Sequence, residues 1–268
     1  MKLLVNANDE KHLIELLKTN VAGVLLYFNK LSVNSNYYID IGDLEKIDFQ
    51  NKEVFIVINK LMHNSDLPYL TQVLKNLQNK KVKILFYDMS VYNIAKKLNM
   101  IDKLIIYQDH LNASIQSHKF YYKLGITGSY VTSDITSEEL LAIKNNTPMT
   151  IMFTAYGYLP IFYSRRYLIT NYLKYISKSP GINYHIISDE GISYPISEED
   201  FGTTVYTKEP INLINYLEEL SKIDYLVLNS NMIPPEEFNK IVSSFLKKES
   251  MPNCYIGFFK TKTIYKVK

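Results

Sequence analysis

Apolar runs of four to six residues, each followed by a segment with helical spacing, repeat along most of this chain, and that alternation limits its fold more than any other feature. "KLLVNA" precedes "DEKHLIELLKTN", in which Leu13, Leu16 and Leu17 share one helical face. "VFIVIN" precedes "DLPYLTQVLKNLQNK", where Asp66 suits the N-cap and Pro68 the first turn. "KILFYD" precedes "VYNIAKKLN", and "KLIIYQ" precedes "ASIQSHKFYYKLG". "GSYVTSD" leads to "TSEELLAIKNN", with Thr136 and Glu139 spaced as a capping box. Near the end, "DYLVLNS" precedes "PPEEFNKIVSSFLKKE".

The strand candidates lie near 3–6, 23–27, 54–58, 83–87, 103–107, 128–132, 149–154 and 225–229. Several are apolar throughout, as parallel strands buried on both faces are. Eight such units predict an α/β fold, a TIM-like (β/α)8 barrel with room for irregularity; a doubly wound open sheet is the structural alternative. No Pro/Gly/Ser-rich linker divides residues 1–268, which predicts one domain. The rhythm breaks after the seventh strand, at about 157–210, where "SYPISEEDFGTTVYT" reads as a β-hairpin turning near Asp200 and Gly202.

Composition narrows the function. Hydrophobic residues at 47% suffice for a core, and nine Gly and nine Pro are too few for a fibrous or disordered chain. A net charge of +3 suits an anionic partner without demanding one. The start is not that of a signal peptide and no run is long enough for a membrane span, so a cytoplasmic protein with no membrane partner is expected. The lone Cys254 excludes a disulfide within the chain and any multi-cysteine metal site, so no metal and no resident cofactor are expected. In its tail, Cys254 reads as an apolar filler.

In a barrel, chemistry gathers just past the strands, and those positions hold Asn6, Asn59, Asp88, Gln108, Asp134, Tyr156 and Asn229. Such residues either line a pocket or simply end strands. The five histidines are scattered and read as surface or helix residues, with His63, between a strand and a helix cap, the one to watch. Glu198, Glu199 and Asp200 beside a tight turn read as a solvated tip. No serine occupies a nucleophile elbow.

"HNSDLPYL", "FYSRRYLITNY" and "SYPISEEDFGTTVYTKEPINLI" together resemble the collagenase-like peptidase family U-32. The matching positions are His63, Asn64, Asp66 and Leu67, then Ser164, Arg166, Leu168, Asn171 and Tyr172, then Tyr194 to Ile196, Glu199, Asp200, Gly202, Thr203 and Ile211. The resemblance implies a barrel-like fold. Members divide between those described as proteases and proteins of RNA-base or ubiquinone-precursor hydroxylation that carry a four-cysteine iron–sulfur site. Where the family often has "HG..C....GRC", this chain has Tyr156 and Gly157, then Pro160 and Tyr167, so no iron–sulfur cluster is expected.

The cysteine-poor pattern resembles the smaller of two paralogous subunits that support 5-hydroxyuridine formation at the tRNA wobble position. That resemblance implies tRNA and a larger cysteine-bearing paralogue as partners and prephenate as a co-substrate, with this chain either catalytic or accessory. The alternatives are a peptidase and a non-catalytic ligand- or RNA-binding member. Asn59, His63, Tyr156, Arg166 and Asn171 are expected to converge at a pocket, with Asp134 a further ligand candidate. Arg165 and Arg166, framed by Tyr163 and Tyr167, suit a phosphate or dicarboxylate with rings stacked on a base or aromatic ligand. Otherwise one arginine is buried against the hairpin carboxylates and the other solvated.

Overall fold

A computed structural model of the chain describes residues 1–262 except 109, 111, 180, 182, 183 and 189. Strands β1 (Lys2–Val5), β2 (Gly23–Phe28), β4 (Glu53–Ile58), β5 (Lys83–Phe86), β6 (Leu104–Tyr107), β7 (Gly128–Tyr130), β8 (Thr150–Gly157) and β14 (Tyr225–Leu228) pair in parallel. The ring closes where Leu4 and Val5 pair with Gly23 and Val24. The fold is therefore the (β/α)8 barrel, and the open sheet is excluded. Each of the eight apolar runs falls on one of these strands.

Side chains alternate between two cores. Leu4, Leu25, Phe55, Val57, Leu85, Met152 and Val227 point inward and fill the barrel. Leu3, Val5, Val24, Ile56, Phe86 and Leu228 point outward under the helices. Helix α1 (Glu10–Leu17) buries Leu13, Leu16 and Leu17 as its spacing predicts. In α3 (Leu67–Leu77), Leu70, Val73, Leu74 and Leu77 do the same. Helices α4 (Met89–Lys97), α5 (Ile115–Lys123), α6 (Ser137–Asn146) and α8 (Pro235–Lys247) complete the outer layer. The capping box of α6 forms: Thr136 accepts from the Glu139 amide and Glu139 from the Thr136 amide. Asp66 takes the N-cap position of α3 and Pro68 its first turn, as expected, but the Asp66 side chain makes no capping bond to that helix. Its backbone is already helical, and its carboxylate accepts from the His63 amide and so closes the turn before the helix. Among the described residues no helix is long and apolar enough to cross a membrane.

Two short strands decorate the barrel, β3 (Tyr38–Ile39) beside β2 and β13 (Ile211–Asn212) antiparallel to β8. A short helix, α2 (Ile41–Lys46), follows β3. Between β8 and β13 the chain leaves the barrel. It forms β9 (Pro160–Ser164), α7 (Leu168–Tyr175), β10 (Tyr184–Ile187), β11 (Ser193–Glu199) and β12 (Gly202–Tyr206). These strands make an antiparallel sheet in the order β10-β11-β12-β9. The hairpin read from the sequence is β11–β12, with Glu199 opposite Gly202.

Candidate functional site at the barrel mouth

The excursion lies across the C-terminal ends of the barrel strands. Its hairpin turn rests on the loop after β2, where Glu199 accepts from the Tyr38 hydroxyl and the Asn34 amide. Thr204 and Tyr206 both donate to the Asn34 side chain, and Tyr206 is also bonded to Asn231, beyond β14. Phe201, at the turn, covers the Lys60 ammonium at 4.1 Å, and Lys60 is in turn 3.1 Å from the Asp66 carboxylate. The Lys60 side chain is 8% exposed. Burial tends to raise the Asp66 pKa, but hydrogen bonds from the His63 amide and Lys60 outweigh it, and the carboxyl is held below its ordinary value.

Gly202 makes the crossing feasible. At φ 144° it adopts a conformation that side chains disfavour, and a Cβ there would lie 2.1 Å from the Ser164 carbonyl oxygen. β9 therefore ends against the start of β12, and the chain arches over the turn at Arg165 and Arg166. The flanking rings hold that arch. Tyr163 donates to the Phe201 carbonyl at 2.8 Å and Tyr167 to the Asp200 carbonyl at 2.7 Å.

Both arginines are exposed, so neither is buried in an ion pair with the hairpin. The carboxylates are engaged elsewhere, and the solvated-tip expectation fails for two of them. Glu198 accepts from the Ile169 and Thr170 amides and the Thr170 and Thr203 hydroxyls, capping α7 from the adjacent sheet. Burial tends to raise its pKa, but those hydrogen bonds lower it overall. Burial pushes the Glu199 pKa up in spite of its bonds to Tyr38 and Asn34. Burial also drives the Tyr38 hydroxyl far above its ordinary value, aided by the nearby Glu199.

Arg165 instead reaches the loop after β4, with a guanidinium nitrogen 2.7 Å from His63 Nδ1. Because a guanidinium only donates, Nδ1 is the acceptor, which puts the proton of the neutral ring on Nε2. His63 and Arg165 thus present an N–H and a positive charge at one corner of the mouth, a suitable pair for a phosphate or carboxylate oxygen. Arg166 follows in the chain; its backbone oxygen accepts from Thr203 and its side chain is exposed. Arg165 and Arg166 are the only two arginines in the chain. The planar guanidinium binds oxyanions in two-pronged fashion where lysine does not.

The other expected site residues divide. Asp134 lines a narrow mouth pocket beside Tyr107, Tyr130, Asn229 and the first residues of β9. It encloses about 50 Å3, room for a few waters. Tyr107 and Tyr130 stack there at 4.6 Å. The structure does not bring Asn59 and Tyr156 to this corner as free groups. Asn59 is bonded at both side-chain ends to the Val33 backbone, at 2.8 and 3.1 Å. Tyr156 is 3% exposed and lies against Phe238 and Phe245 of α8. A register shift between β8 and β14 turns Tyr156 outward, where strict alternation would have pointed it into the barrel. Asn171 is exposed on α7. Asp88 caps α4 and Gln108 accepts from Tyr121, so these polar residues end strands without lining the mouth pocket.

The three sequence motifs, distant along the chain, meet in space: the His63 loop, the arginine arch and the hairpin turn touch one another. The chain belongs to peptidase family U32. The family's model matches residues 41–249, which include all three. The protein is similar to "tRNA hydroxylation protein P2" of Bacillus subtilis, at 22% identity over 94% of this chain and 86% of that one. Among solved structures, a glycerophosphodiester phosphodiesterase from Parabacteroides distasonis aligns with TM-score 0.47 and 9% identity, covering 91% of this chain and 97% of its own. The Bacillus cereus spore cortex-lytic enzyme SleL aligns with TM-score 0.43 and 10% identity, covering 93% and 75%. Likenesses at that level carry no argument.

The residues present do not fit a cysteine-held cluster. Cys254 is the chain's single cysteine, its thiol contacts the Met251 carbonyl at 3.4 Å, and burial raises its pKa. Among the described residues no group of three His, Cys, Asp or Glu is placed to hold a metal ion. Sequence reading missed one Ser–His contact: Ser193 Oγ lies 3.0 Å from His185 Nδ1. The pair is exposed on the adjacent strands β10 and β11, the ordinary setting of a cross-strand hydrogen bond.

Proposed function

We propose that this protein supports hydroxylation of tRNA, with the 5-position of the wobble uridine as the modified site. The observation that carries the reading is the corner formed by Arg165 and His63, with the exposed Arg166 next in the chain, at the mouth of a cysteine-poor U32 barrel. The similarity to a protein named for tRNA hydroxylation supports it. In this reading the arginines and His63 Nε2–H bind an anionic oxygen, either an RNA phosphate or the carboxylate of a small co-substrate such as prephenate. Tyr163 and Tyr167 fix the arch that carries them. Hydroxylation of a uridine C–H is a two-electron oxidation that needs both an oxygen source and an electron acceptor. The chain's own residues bind and orient; the oxygen source and the electron acceptor come from outside this chain. The reaction belongs in the cytoplasm, where tRNA is.

The peptidase reading is weaker. Among the described residues the serine–histidine side-chain contact is Ser193–His185, and no described third group orients that imidazole. The test is nucleoside mass spectrometry of tRNA from a strain lacking this gene and any family paralogue. Loss of 5-hydroxyuridine derivatives, restored by this gene with its paralogue, supports the proposal; an unchanged nucleoside profile in that strain ends it.

A further inference from the structure

Between Glu139 and Asp189 the sequence contains no acidic residue, and α7 lies inside that run. No residue of the helix is fully buried; Ile169 and Leu173 are half-buried. Leu168, Tyr172 and Tyr175, spaced to share one helical face, are 36%, 62% and 86% exposed. Single exposed rings need no explanation, but an apolar stripe set among cations does. Arg165, Arg166, Lys174 and Lys178 are all exposed, and none forms an ion pair with a described residue. On its other side α7 borders a groove of about 780 Å3, in which Lys174, Lys178 and Leu173 face His185 and Ile196 of the small sheet. Glu198 also lines that groove, but its oxygens are occupied by the helix amides and threonine hydroxyls.

We infer that α7 and this groove form a binding surface for single-stranded RNA, separate from the Arg165–His63 corner. Tyr172 and Tyr175 stack on unpaired bases, and Lys174 and Lys178 bind the backbone phosphates. The inference rests on the tRNA reading above and names the part of the RNA engaged: an open loop, not a duplex. A duplex hides the faces of its bases, so exposed rings gain nothing from one, whereas aromatic platforms on a helix that also borders a cationic groove suit a single strand. A protein partner is the less apt occupant. Tyrosine suits such an interface, but lysine is depleted there, and this surface offers cations with no free carboxylate beside them.

The test uses the full chain, fluorescent oligouridylate, and a blunt RNA duplex of equal phosphate number, followed by anisotropy over a range of salt. The wild type binds oligouridylate more tightly than the duplex. Tyr172→Ala/Tyr175→Ala weakens oligouridylate binding at least about fivefold per ring and leaves the salt slope unchanged. Lys174→Gln/Lys178→Gln flattens that slope by about 0.7 for each phosphate that a lysine no longer neutralises. Circular dichroism melts confirm that the variants stay folded, as their exposure predicts. Wild-type affinity in both double variants overturns the inference, as does failure of the wild type to bind oligouridylate. A wild-type oligomer that dissociates in Tyr172→Ala/Tyr175→Ala with RNA affinity unchanged also overturns it and makes α7 a protein interface. The tRNA nucleoside profile of the deletion strain decides the hydroxylation reading independently. Loss of 5-hydroxyuridine derivatives there, with normal RNA binding by the tyrosine variant, removes this surface and leaves the tRNA role standing.

Discussion

The Arg165 guanidinium donates to His63 Nδ1 across 2.7 Å, joining residues 102 positions apart in the sequence. The hydrogen bond ties the excursion to the barrel at its mouth and leaves His63 Nε2–H and the arginine charge facing outward. Both side chains are exposed, so their removal is expected to change stability by no more than about 0.5 kcal/mol. His63→Ala and Arg165→Ala should therefore keep the wild-type melting temperature while weakening ligand binding. Differential scanning fluorimetry beside a tRNA-binding isotherm checks both halves.

Asn59 and Tyr156 are expected to behave differently. Asn59→Ala strands the buried Val33 amide and carbonyl, at about 1–3 kcal/mol for each group left unpaired. Tyr156→Ala empties a site between β8 and α8, at about 3–5 kcal/mol by analogy with other aromatic truncations. Urea unfolding should show both losses. The folded fraction of each variant should bind tRNA as the wild type does.

Gly202→Ala forces a Cβ toward the Ser164 carbonyl in a backbone conformation that favours glycine. Strain of this kind costs about 1–3 kcal/mol, and the close approach adds to it. The expected result is a lower melting temperature, with reduced tRNA binding because the arch bearing Arg165 and Arg166 sits on this crossing.

Glu198 and Glu199 give opposite pH dependences. The folded pKa of Glu198 is depressed, so its stabilisation is present above the unfolded value and is lost as pH falls through the folded one. The folded pKa of Glu199 is raised, so its contribution is present below the unfolded value and is lost as pH rises through the folded one. Glu198→Gln should flatten the acid side of the stability curve, and Glu199→Gln should remove the decline above it. Thermal melts of the two variants across mildly acidic pH check the signs.

The barrel was legible because parallel strands covered on both faces leave continuous apolar runs, as "VFIVI" and "KILF" do at β4 and β5. The β11–β12 hairpin was legible from its alternation and from Gly202. By contrast β3, β9 and β13 depend on partners supplied by the tertiary fold, and α7 lies off the barrel, where Ile169 and Leu173 are only half-buried. The site was half legible. The motifs around His63 and Arg165 stand out in sequence, but whether a strand-end polar residue faces a pocket depends on local geometry. Asn59 turns to the Val33 backbone, and the register shift opposite β14 sends Tyr156 outward. The roles of Lys60 and Glu198 depend on distant segments, Phe201 for one and α7 for the other. The confinement of the only two arginines to one exposed arch was a signal in plain view.

The central claim is that Arg165 and Arg166 hold an anionic group during tRNA hydroxylation. Its most direct test is 5-hydroxyuridine content in tRNA from a strain lacking this gene and its family paralogues, complemented with the paralogue together with either the wild type or Arg165→Ala/Arg166→Ala. The account predicts restoration by the wild type. The double variant should melt normally and yet restore about a tenth of that level or less, since a lost charged hydrogen bond is worth about 1.5–3 kcal/mol. Full restoration by the folded double variant would contradict it.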